Sequence, residues 1–406
     1  MLMSLAWRNL FRRPQRTILS LLSIAIVCAL LVFMLSFQLG VYATMKENTL
    51  RIFDGFVQFQ ASGYADDPGL ERSIGAPSAL VHEAEDLPGV TVAAPRINGF
   101  AILANGERSY GAAVIGVDAA REARLSSIAA TIETGRYLKA SDGDAAVLGA
   151  TLARNLKLGV GSRVTMLGAA RDGSVAADVL KVAGIYRSGV AELDRSILEM
   201  PFRRAQQTFA MNGRASTIAI GGTSLEGVES ELPALAAIGD RHGVRLLDWG
   251  ELEPAMRDAI ALKYASSLFF YLTLVVVVAF IVLNTLLMSV LERTREFGML
   301  LAIGMRPGAI GRMVWLELLA LALFGCAIGL FIGAVATLWF EHTGIDFGGL
   351  DNLLQQFGLP TRLYPTLTVF STLIGPAVIL FSICVGGVVP YVRVARLAPV
   401  LATRAP

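Results

Sequence analysis

The residues that most often bind metals or form disulfides are few in this sequence and lie far apart. They are Cys28, Cys326, Cys384, His82, His242 and His342. A zinc site needs such residues grouped at short spacings, and each histidine here lacks a nearby cysteine or second histidine. The cysteines fall in long apolar stretches, where a free thiol behaves as a small packing side chain. We therefore predict no metal site, and no disulfide in the long polar segment between the first two apolar stretches.

Motifs that bind phosphate or build a catalytic site are missing as well. The nearest glycine-rich stretch, Gly159-Val160-Gly161, has neither the lysine nor the third glycine that phosphate and dinucleotide loops require. The sequence contains no G-x-S-x-G or H-E-x-x-H pattern. Its 35 basic and 33 acidic residues leave a net charge of +2, which argues against a nucleic-acid partner. The prediction is a protein that is not an enzyme, with no catalytic residue and no cofactor of its own.

Charged and apolar residues interleave in the short segment 292–313, which separates two long apolar stretches. Arg295 and Glu296 are followed by an apolar run, and Gly304 and Pro307 then break the helical pattern. A short helix with an exposed apolar edge suits docking into a groove on a partner protein. The alternative interpretation is a helix that lies at a lipid interface.

Four apolar stretches must position these residues, and each can cross a hydrocarbon core, which takes roughly 20 residues. We predict membrane spans at residues 17–41, 267–291, 314–340 and 368–392. The chain is 54% hydrophobic and only 17% charged, as expected for helices in a membrane combined with one water-facing domain. The first stretch is too long for the core of a signal peptide, so we predict that it is retained.

Arginines cluster on one side of these spans. They are Arg8, Arg12, Arg13 and Arg16 before the first span, Arg293, Arg295, Arg306 and Arg312 between the second and third, and Arg393, Arg396 and Arg404 after the fourth. By the positive-inside rule, segments 1–16, 292–313 and 393–406 lie in the cytoplasm. Residues 42–266 and the short loop 341–367 then lie outside it.

The external segment 42–266 switches often between short β-like and short helical runs. This pattern predicts a large α+β extracytoplasmic domain inserted between the first and second of four membrane helices. Residues 168–177 are small and polar and predict a hairpin tip, and we predict one helix over Leu225–Ala236. Helical stalks are predicted to join the domain to the membrane through Met45–Leu50 and from Pro254 onward.

The third span holds Gly325, Gly329 and Gly333, which lie on one helix face because they are four residues apart. Small residues there let a neighbouring helix approach closely, so we interpret them as a helix-packing face. A substrate groove is the alternative.

Four segments together resemble the FtsX/MacB-like permeases of ABC transporters. They are AWRNLFRRPQRTILSLLSIAI at 6–26, REFGMLLAIG at 295–304, the span from Glu317 to Gly333, and PYVRVARLAPVLATR at 390–404. The order of one span, a large external domain and three further spans is similar to the same superfamily. Residues 185–209 and 248–256 resemble its lipoprotein-releasing LolC/LolE branch.

The resemblance implies a type VII ABC transporter in the bacterial inner membrane, with two permease chains, the same or homologous. Two copies of a separate cytoplasmic ATPase would bind the ATP and magnesium. ATPase closure would be transmitted to the external domains, and lipoproteins would leave the outer leaflet from a cavity between the first two spans. The implied coupling helix carries Arg295, Glu296, Phe297, Met299, Leu300 and Ile303. The candidate cavity residues are Phe33, Met34, Phe37, Val41, Leu268, Tyr271 and Val275.

Two other functions stay open. A MacB-like exporter would move a periplasmic peptide, toxin or small molecule with an adaptor protein, and an FtsX-like protein would activate a cell-wall hydrolase. In LolC-like chains, a longer, proline-containing hook takes the place of residues 168–177 and captures a periplasmic lipoprotein chaperone. The short polar hairpin here departs from that pattern and favours a LolE-like role or another substrate.

Overall fold

The computed structural model describes residues 14–292, 294–349, 362–388 and 391–392, and these form two compact units. The domain unit is Thr44–Asp258 together with Gly348 and Gly349. The membrane unit combines Ala259–Phe347 with the described residues up to Ala43 and from Arg362. Arg293, residues 350–361 of the predicted external loop, the predicted tail 393–406 and most of segment 1–16 lie outside the described residues.

The described helices include four that are long and apolar enough to span a membrane, and this confirms the predicted four-span architecture. In chain order the helices are α1 (Pro14–Ile52), α2 (Pro77–Glu85), α3 (Ala119–Leu125), α4 (Ala150–Leu156), α5 (Ala191–Ser196), α6 (Phe202–Thr208), α7 (Leu225–Ser230), α8 (Leu232–His242), α9 (Trp249–Leu252), α10 (Pro254–Glu292), α11 (Thr294–Ala302), α12 (Pro307–Thr343) and α13 (Val369–Gly386). The four long helices are α1, α10, α12 and α13, and α1 and α10 each contribute residues to both units.

The domain unit is built on a large mixed sheet. The described strands are β1 (Val57–Ala61), β2 (Ile74–Gly75), β3 (Val92–Asn105), β4 (Arg108–Val117), β5 (Ile132–Gly135), β6 (Ala145–Gly149), β7 (Arg163–Ala169), β8 (Val175–Tyr186), β9 (Ile197–Pro201), β10 (Arg214–Ala215), β11 (Thr217–Gly221), β12 (Val244–Leu247), β13 (Ile345–Asp346) and β14 (Arg362–Leu363). Ten of them form one sheet in the order β12-β1-β11-β3-β4-β9-β6-β8-β5, with β7 pairing to β3 and β8. The pairs β4–β9 and β6–β8 are parallel, which confirms an α+β rather than an all-antiparallel domain.

Short helices cover the inner face of this sheet and complete its core. Leu103, Met166, Leu198 and Phe209 are among the fully buried members of the largest apolar cluster. Burial of such side chains is the main favourable term in folding. The domain therefore has a hydrophobic core of its own.

The prediction of one helix over Leu225–Ala236 is wrong, because these residues belong to two helices. Helix α7 ends at Ser230, and α8 begins at Leu232 with Pro233 in its first turn. Proline has no backbone N–H to donate and clashes with the preceding turn, so the chain restarts a helix there rather than continuing one.

Glycines bring α12 against α1 in the membrane unit. A Cβ on Gly329 would lie 2.4 Å from the carbonyl oxygen of Ala25, and one on Gly333 would lie 2.9 Å from that of Ala29. Gly325 faces Ile24 at similarly short range. The three glycines predicted to pack helices thus lie on one helix–helix contact, at distances that only glycine permits.

Candidate functional site

An apolar groove runs along three of the long helices of the membrane unit. Its volume is about 360 Å³. It is lined by Leu31, Leu35, Gln38 and Leu39 of α1, by Tyr264, Ala265, Ser267, Leu268, Tyr271, Leu272 and Val275 of α10, and by Phe370, Ile374, Gly375 and Val378 of α13. Gln38, Ser267 and the two tyrosines supply its polar side chains. A concave apolar site with a few convergent polar groups is the usual form of a ligand pocket.

Three polar side chains of the groove, Gln38, Ser267 and Tyr271, form one hydrogen-bonded cluster with Tyr42. The Gln38 Nε2 donates to Ser267 Oγ at 2.8 Å and to Tyr42 Oη at 3.0 Å. The Tyr271 hydroxyl donates to Gln38 Oε1 at 2.8 Å. The Tyr42 ring packs edge-on against Tyr264, with ring centroids 4.9 Å apart. This cluster, which we call the Gln38 cluster, joins α1 to α10.

The structure brings only part of the predicted cavity together. Leu268, Tyr271 and Val275 line the groove, whereas the four residues predicted from the first span do not. Those four are Phe33, Met34, Phe37 and Val41. Phe33 instead packs against Phe340 at 5.7 Å between ring centroids, and Phe37 packs against Phe347 at 6.0 Å.

The predicted and observed faces of α1 differ by a rotation of this helix about its own axis. The span is apolar on all sides, so its sequence has no polar stripe to show which face meets which neighbour. Gln38 was the available signal, because a lone amide in a membrane helix favours a position where another helix offers a partner. Counting from Gln38 by helical turns leads to Leu35 and Leu31, which do line the groove.

The coupling segment also divides into two faces. Phe297 is buried, and with half-buried Leu300 it packs against Val290, Ile310 and Met313 of the flanking helices. The exposed face carries Arg295, Glu296, Met299 and Ile303. Four of the six predicted coupling residues are therefore accessible to a partner, and the other two fix α11 against its own chain.

An exposed apolar surface lies on the outer face of the domain sheet. Phe100 and Ile102 of β3, Leu167 of β7, and Val175 and Val179 of β8 form this surface, which we call the apolar sheet face. Phe100 is 68% exposed and Val175 69% exposed. The strand register places Ile102 beside Leu167 on adjacent strands. Exposed apolar patches of this kind mark surfaces that contact other molecules.

The polar tip of the hairpin, which is the turn between Ala170 and Ser174, gives no sign of the apolar sheet face. The signal lies in the strands. Along β8 the buried residues are apolar except Asp178, and the exposed Val175 and Val179 are apolar as well. A strand with one face in water normally alternates apolar with polar residues, so apolar residues on both faces indicate a second partner.

Buried ionisable groups form a second cluster in the domain unit. Arg96, Glu122 and Glu199 are each 1% exposed or less. The Arg96 guanidinium donates to both carboxylate oxygens of Glu122, at 3.0 and 2.6 Å. Tyr137 donates its hydroxyl to Glu199 Oε2 at 2.7 Å, while Glu199 Oε1 has no hydrogen-bond partner. Burial and then the Glu122 carboxylate raise the pKa of Glu199 to about 8, against the opposing effects of Tyr137 and Arg96.

The cysteines and histidines are placed as packing and surface residues. Cys28 and Cys326 are buried, with the Cys28 thiol 3.5 Å from the Cys326 carbonyl oxygen. His242 Nε2 lies 2.8 Å from a Glu83 carboxylate oxygen at the surface. Among the residues that the structure describes, no group of three or more His, Cys, Asp or Glu side chains could hold a metal ion.

Two protein-family models match the chain. The model of the FtsX-like permease C-terminal domain matches residues 268–399. The model of the MacB-like periplasmic core domain matches residues 17–235, which is more than half of the chain.

Individual relatives match at lower similarity. The lipoprotein-releasing system transmembrane protein LolC of Neisseria meningitidis serogroup B is 22% identical, over 86% of this chain and 82% of its own length. The probable syringafactin export protein SyfD of Pseudomonas syringae pv. tomato is 31% identical, over 44% of this chain and 25% of its own length. The crystal structure of the periplasmic region of MacB from Actinobacillus actinomycetemcomitans aligns at 14% identity and a TM-score of 0.38, over 50% of this chain and 92% of that one.

Proposed function

This chain belongs to the FtsX/MacB/LolC family of ABC-transporter permeases, and from that premise we propose that it extracts lipid-anchored proteins from the outer leaflet of the bacterial inner membrane. The four spanning helices and the MacB-like periplasmic core domain make it a multi-pass membrane protein with a periplasmic domain. The LolC relative, which aligns along most of its own length, is named for lipoprotein release. The arginine distribution supports a cytoplasmic position for both ends of the chain in this proposal.

The observation that carries the proposal is the apolar groove on α1, α10 and α13. Moving an acyl chain from lipid into water costs about 0.8 kcal/mol for each CH₂ group. A lipid anchor therefore needs an apolar path along the protein. The groove offers leucines, valines and phenylalanine for the acyl chains and the Gln38 cluster for the polar group that joins them to the cargo.

The energy is proposed to come from two copies of a separate ATPase that dock on the exposed face of α11, with a second permease chain completing the complex. Met299 and Ile303 are 53% and 84% exposed, and Arg295 and Glu296 flank them. Exposed apolar residues edged by charge suit a groove on a protein partner. Helices α1 and α10 would carry the motion, since each contributes residues to both units.

A periplasmic chaperone or adaptor is proposed to bind the apolar sheet face. The face presents Phe100, Ile102 and Leu167 to solvent, and Arg163 and Lys181 lie opposite each other at its end. A partner with an apolar surface edged by carboxylates would complement it.

Export of a peptide, toxin or small molecule is the second candidate function. The relatives named for syringafactin and macrolide export reach 30% to 38% identity, although they match this chain over shorter stretches than LolC does. This function predicts cargo entry from the periplasm and no requirement for an acyl chain.

Reconstitution with the ATPase tests the main proposal. We expect ATP-dependent release of a fluorescent lipoprotein from proteoliposomes, and loss of release when Leu35→Trp fills the groove. Leu323→Trp on α12 is the control, because Leu323 is half exposed and does not line the groove. No release by the unmodified chain with an active ATPase would refute lipoprotein extraction. Release by Leu35→Trp equal to that of the unmodified chain would show that the acyl chains do not pass through the groove.

The docking face is tested by two substitutions, one in α11 and one at the residue that directly follows it. Ile303→Asp should lower ATPase binding at unchanged thermal stability, because Ile303 makes no core contact. Phe297→Ala should instead lower the melting temperature, because it removes a ring from the core of α11 and its neighbours. Binding affinity and melting temperature measured on both variants separate the two roles, and unchanged ATPase binding by Ile303→Asp would contradict the proposed docking.

A further inference from the structure

Arg96, on the domain sheet, binds the residue that directly follows α1. Its Nη2 donates to the carbonyl oxygen of Phe53 at 2.5 Å, one residue beyond the end of α1 at Ile52. The guanidinium also lies over the Phe53 ring, 4.4 Å from its centroid. Because Arg96 is on β3 and Glu122 is on α3, this one side chain holds three elements of the domain unit together.

Glu199 lies on the same face of the sheet as Arg96, two strands away, and interacts with its guanidinium electrostatically. It lies on β9 between Ile115 of β4 and Val147 of β6, whose side chains are apolar. The charged or titratable groups that interact with it are Arg96, Glu122, Tyr137 and Tyr186. Asp194 interacts with Tyr186, and Asp54 interacts electrostatically with Arg96. The one buried guanidinium is thus hydrogen-bonded to Glu122 and interacts electrostatically with Glu199 and Asp54.

A buried carboxylate with so few partners is poorly stabilised in its charged form. Glu199 Oε2 accepts one hydrogen bond from Tyr137, and Oε1 accepts none. Protonation lowers this cost, because the neutral acid carries no charge and needs less solvation. The raised pKa of Glu199 agrees with this geometry.

Two further acids, Asp54 and Glu253, lie next to the ends of the long helices α1 and α10. Burial raises the pKa of Asp54, which directly follows Phe53. Burial and then Asp54 raise the pKa of Glu253, the residue before Pro254 at the start of α10. The cluster therefore lies in the part of the domain unit that α1 leads into and α10 leads out of.

We propose that Glu199 carries a proton in the resting domain, and that loss of this proton loosens the Arg96 clamp on Phe53. The proton passes to water, and two adjacent carboxylates then compete for one guanidinium. Repulsion between Glu122 and Glu199 weakens the bidentate pair that orients Arg96. The contact of Arg96 with Phe53, which we call the joint after α1, then depends on the protonation of Glu199, whatever cargo the transporter moves.

The sign of the pH dependence follows from linkage. The folded pKa of Glu199, about 8, lies above its ordinary value of 4.5, so the folded joint holds the proton more tightly than the opened one. The stabilisation is complete below about pH 4.5 and is lost as the pH rises to about 8. Between these limits the opening equilibrium increases about tenfold for each pH unit.

Hydrogen exchange of the full chain in lipid nanodiscs tests the proposal. Protection of the amides around Phe53 and Arg96, corrected for intrinsic exchange, should fall about 100-fold between pH 6 and pH 9. Glu199→Gln should abolish most of this fall. Glu107→Gln removes an exposed acid far along the β3–β4 hairpin and should leave it unchanged. An equal fall in Glu199→Gln and the unmodified chain would overturn the proposal.

A second variant decides the matter if Glu199→Gln does not fold. Glu122→Gln removes the competing carboxylate and leaves Arg96 to pair with Glu199, so the fall in protection should move to lower pH. A midpoint that stays where it is in the unmodified chain would contradict the proposal.

Discussion

The two units of this chain bury their interiors in different ways. The domain unit packs large apolar side chains such as Phe209 and Leu103 between a sheet and its helices. The membrane unit brings α12 to α1 through glycines, so that backbone meets backbone. In water, the removal of apolar surface drives the first kind of packing. Lipid is as apolar as leucine, so in the membrane close approach and hydrogen bonds must supply the stability.

The units also differ in the polar groups that they bury. The domain unit holds an ionised pair, Arg96 with Glu122, inside its core. The described membrane helices use neutral groups, as where the hydroxyl of Ser36 donates to that of Ser371 at 2.8 Å. Buried charge costs far more than a buried hydroxyl. An ionised cluster in the domain therefore has a stronger dependence on pH than any contact of the Gln38 cluster.

Gly329→Leu should have the largest effect, because it attacks the close approach on which the membrane unit depends. The first atom of the new side chain meets the Ala25 carbonyl at 2.4 Å, and backbone cannot move aside as a side chain can. We expect α12 to separate from α1, with a loss of more than about 3 kcal/mol and little folded protein recovered. Gly386→Leu is the matched control, since nothing lies within 4 Å of a Cβ there. Size-exclusion profiles and melting curves of both variants measure the difference, and equal behaviour would contradict backbone-limited packing.

Phe209→Ala should have the next largest effect on stability, and it tests the packing of the domain core. The ring is fully buried and lies within 2.4 Å of where a Cβ on Gly99 would be, so its loss leaves a cavity. The expected destabilisation is about 3–5 kcal/mol by denaturant unfolding. Phe100→Ala, on the apolar sheet face, should change stability by less than about 0.5 kcal/mol. Similar values for the two phenylalanines would show that this face is covered within the chain.

Gln38→Leu should have the smallest effect on stability. It removes the three hydrogen bonds of the Gln38 cluster, each worth about 0.6 kcal/mol in a membrane, and so should cost about 1–2 kcal/mol. Ser23→Ala is the control, because the Ser23 hydroxyl donates only to Leu19 on its own helix. Unfolding in mixed micelles gives both values. A loss above 3 kcal/mol would mean that the hydrogen bonds between α1 and α10 stabilise the membrane unit as much as the close approach of α12 to α1.

How far the sequence predicts this molecule depends on whether a feature is local. The four spans and the hairpin between β7 and β8 follow from short patterns, and the structure has them. The face of α1 that lines the groove does not follow, because an apolar helix looks alike from every side and only Gln38 distinguishes one. The pairing of Arg96 with Glu122 is equally hidden, since two charged residues 26 positions apart carry no mark of burial. Whether the predicted coupling residues bind an ATPase stays a prediction, although their division into two faces is visible in the structure.

The place of β1 in the sheet determines when the domain can finish folding. This first strand lies between β11 and β12, with Gln60 beside Thr217 on one side and Arg245 on the other. A nascent chain that threads outward through a translocation channel presents β1 long before its neighbours arrive. Until Leu247 has emerged, β1 has unpaired edges, as strands in slow-folding sheets do before their partners are available. Biogenesis of this protein should therefore be paced by secretion of the whole domain, and a holdase outside the cytoplasm would act on it during that interval.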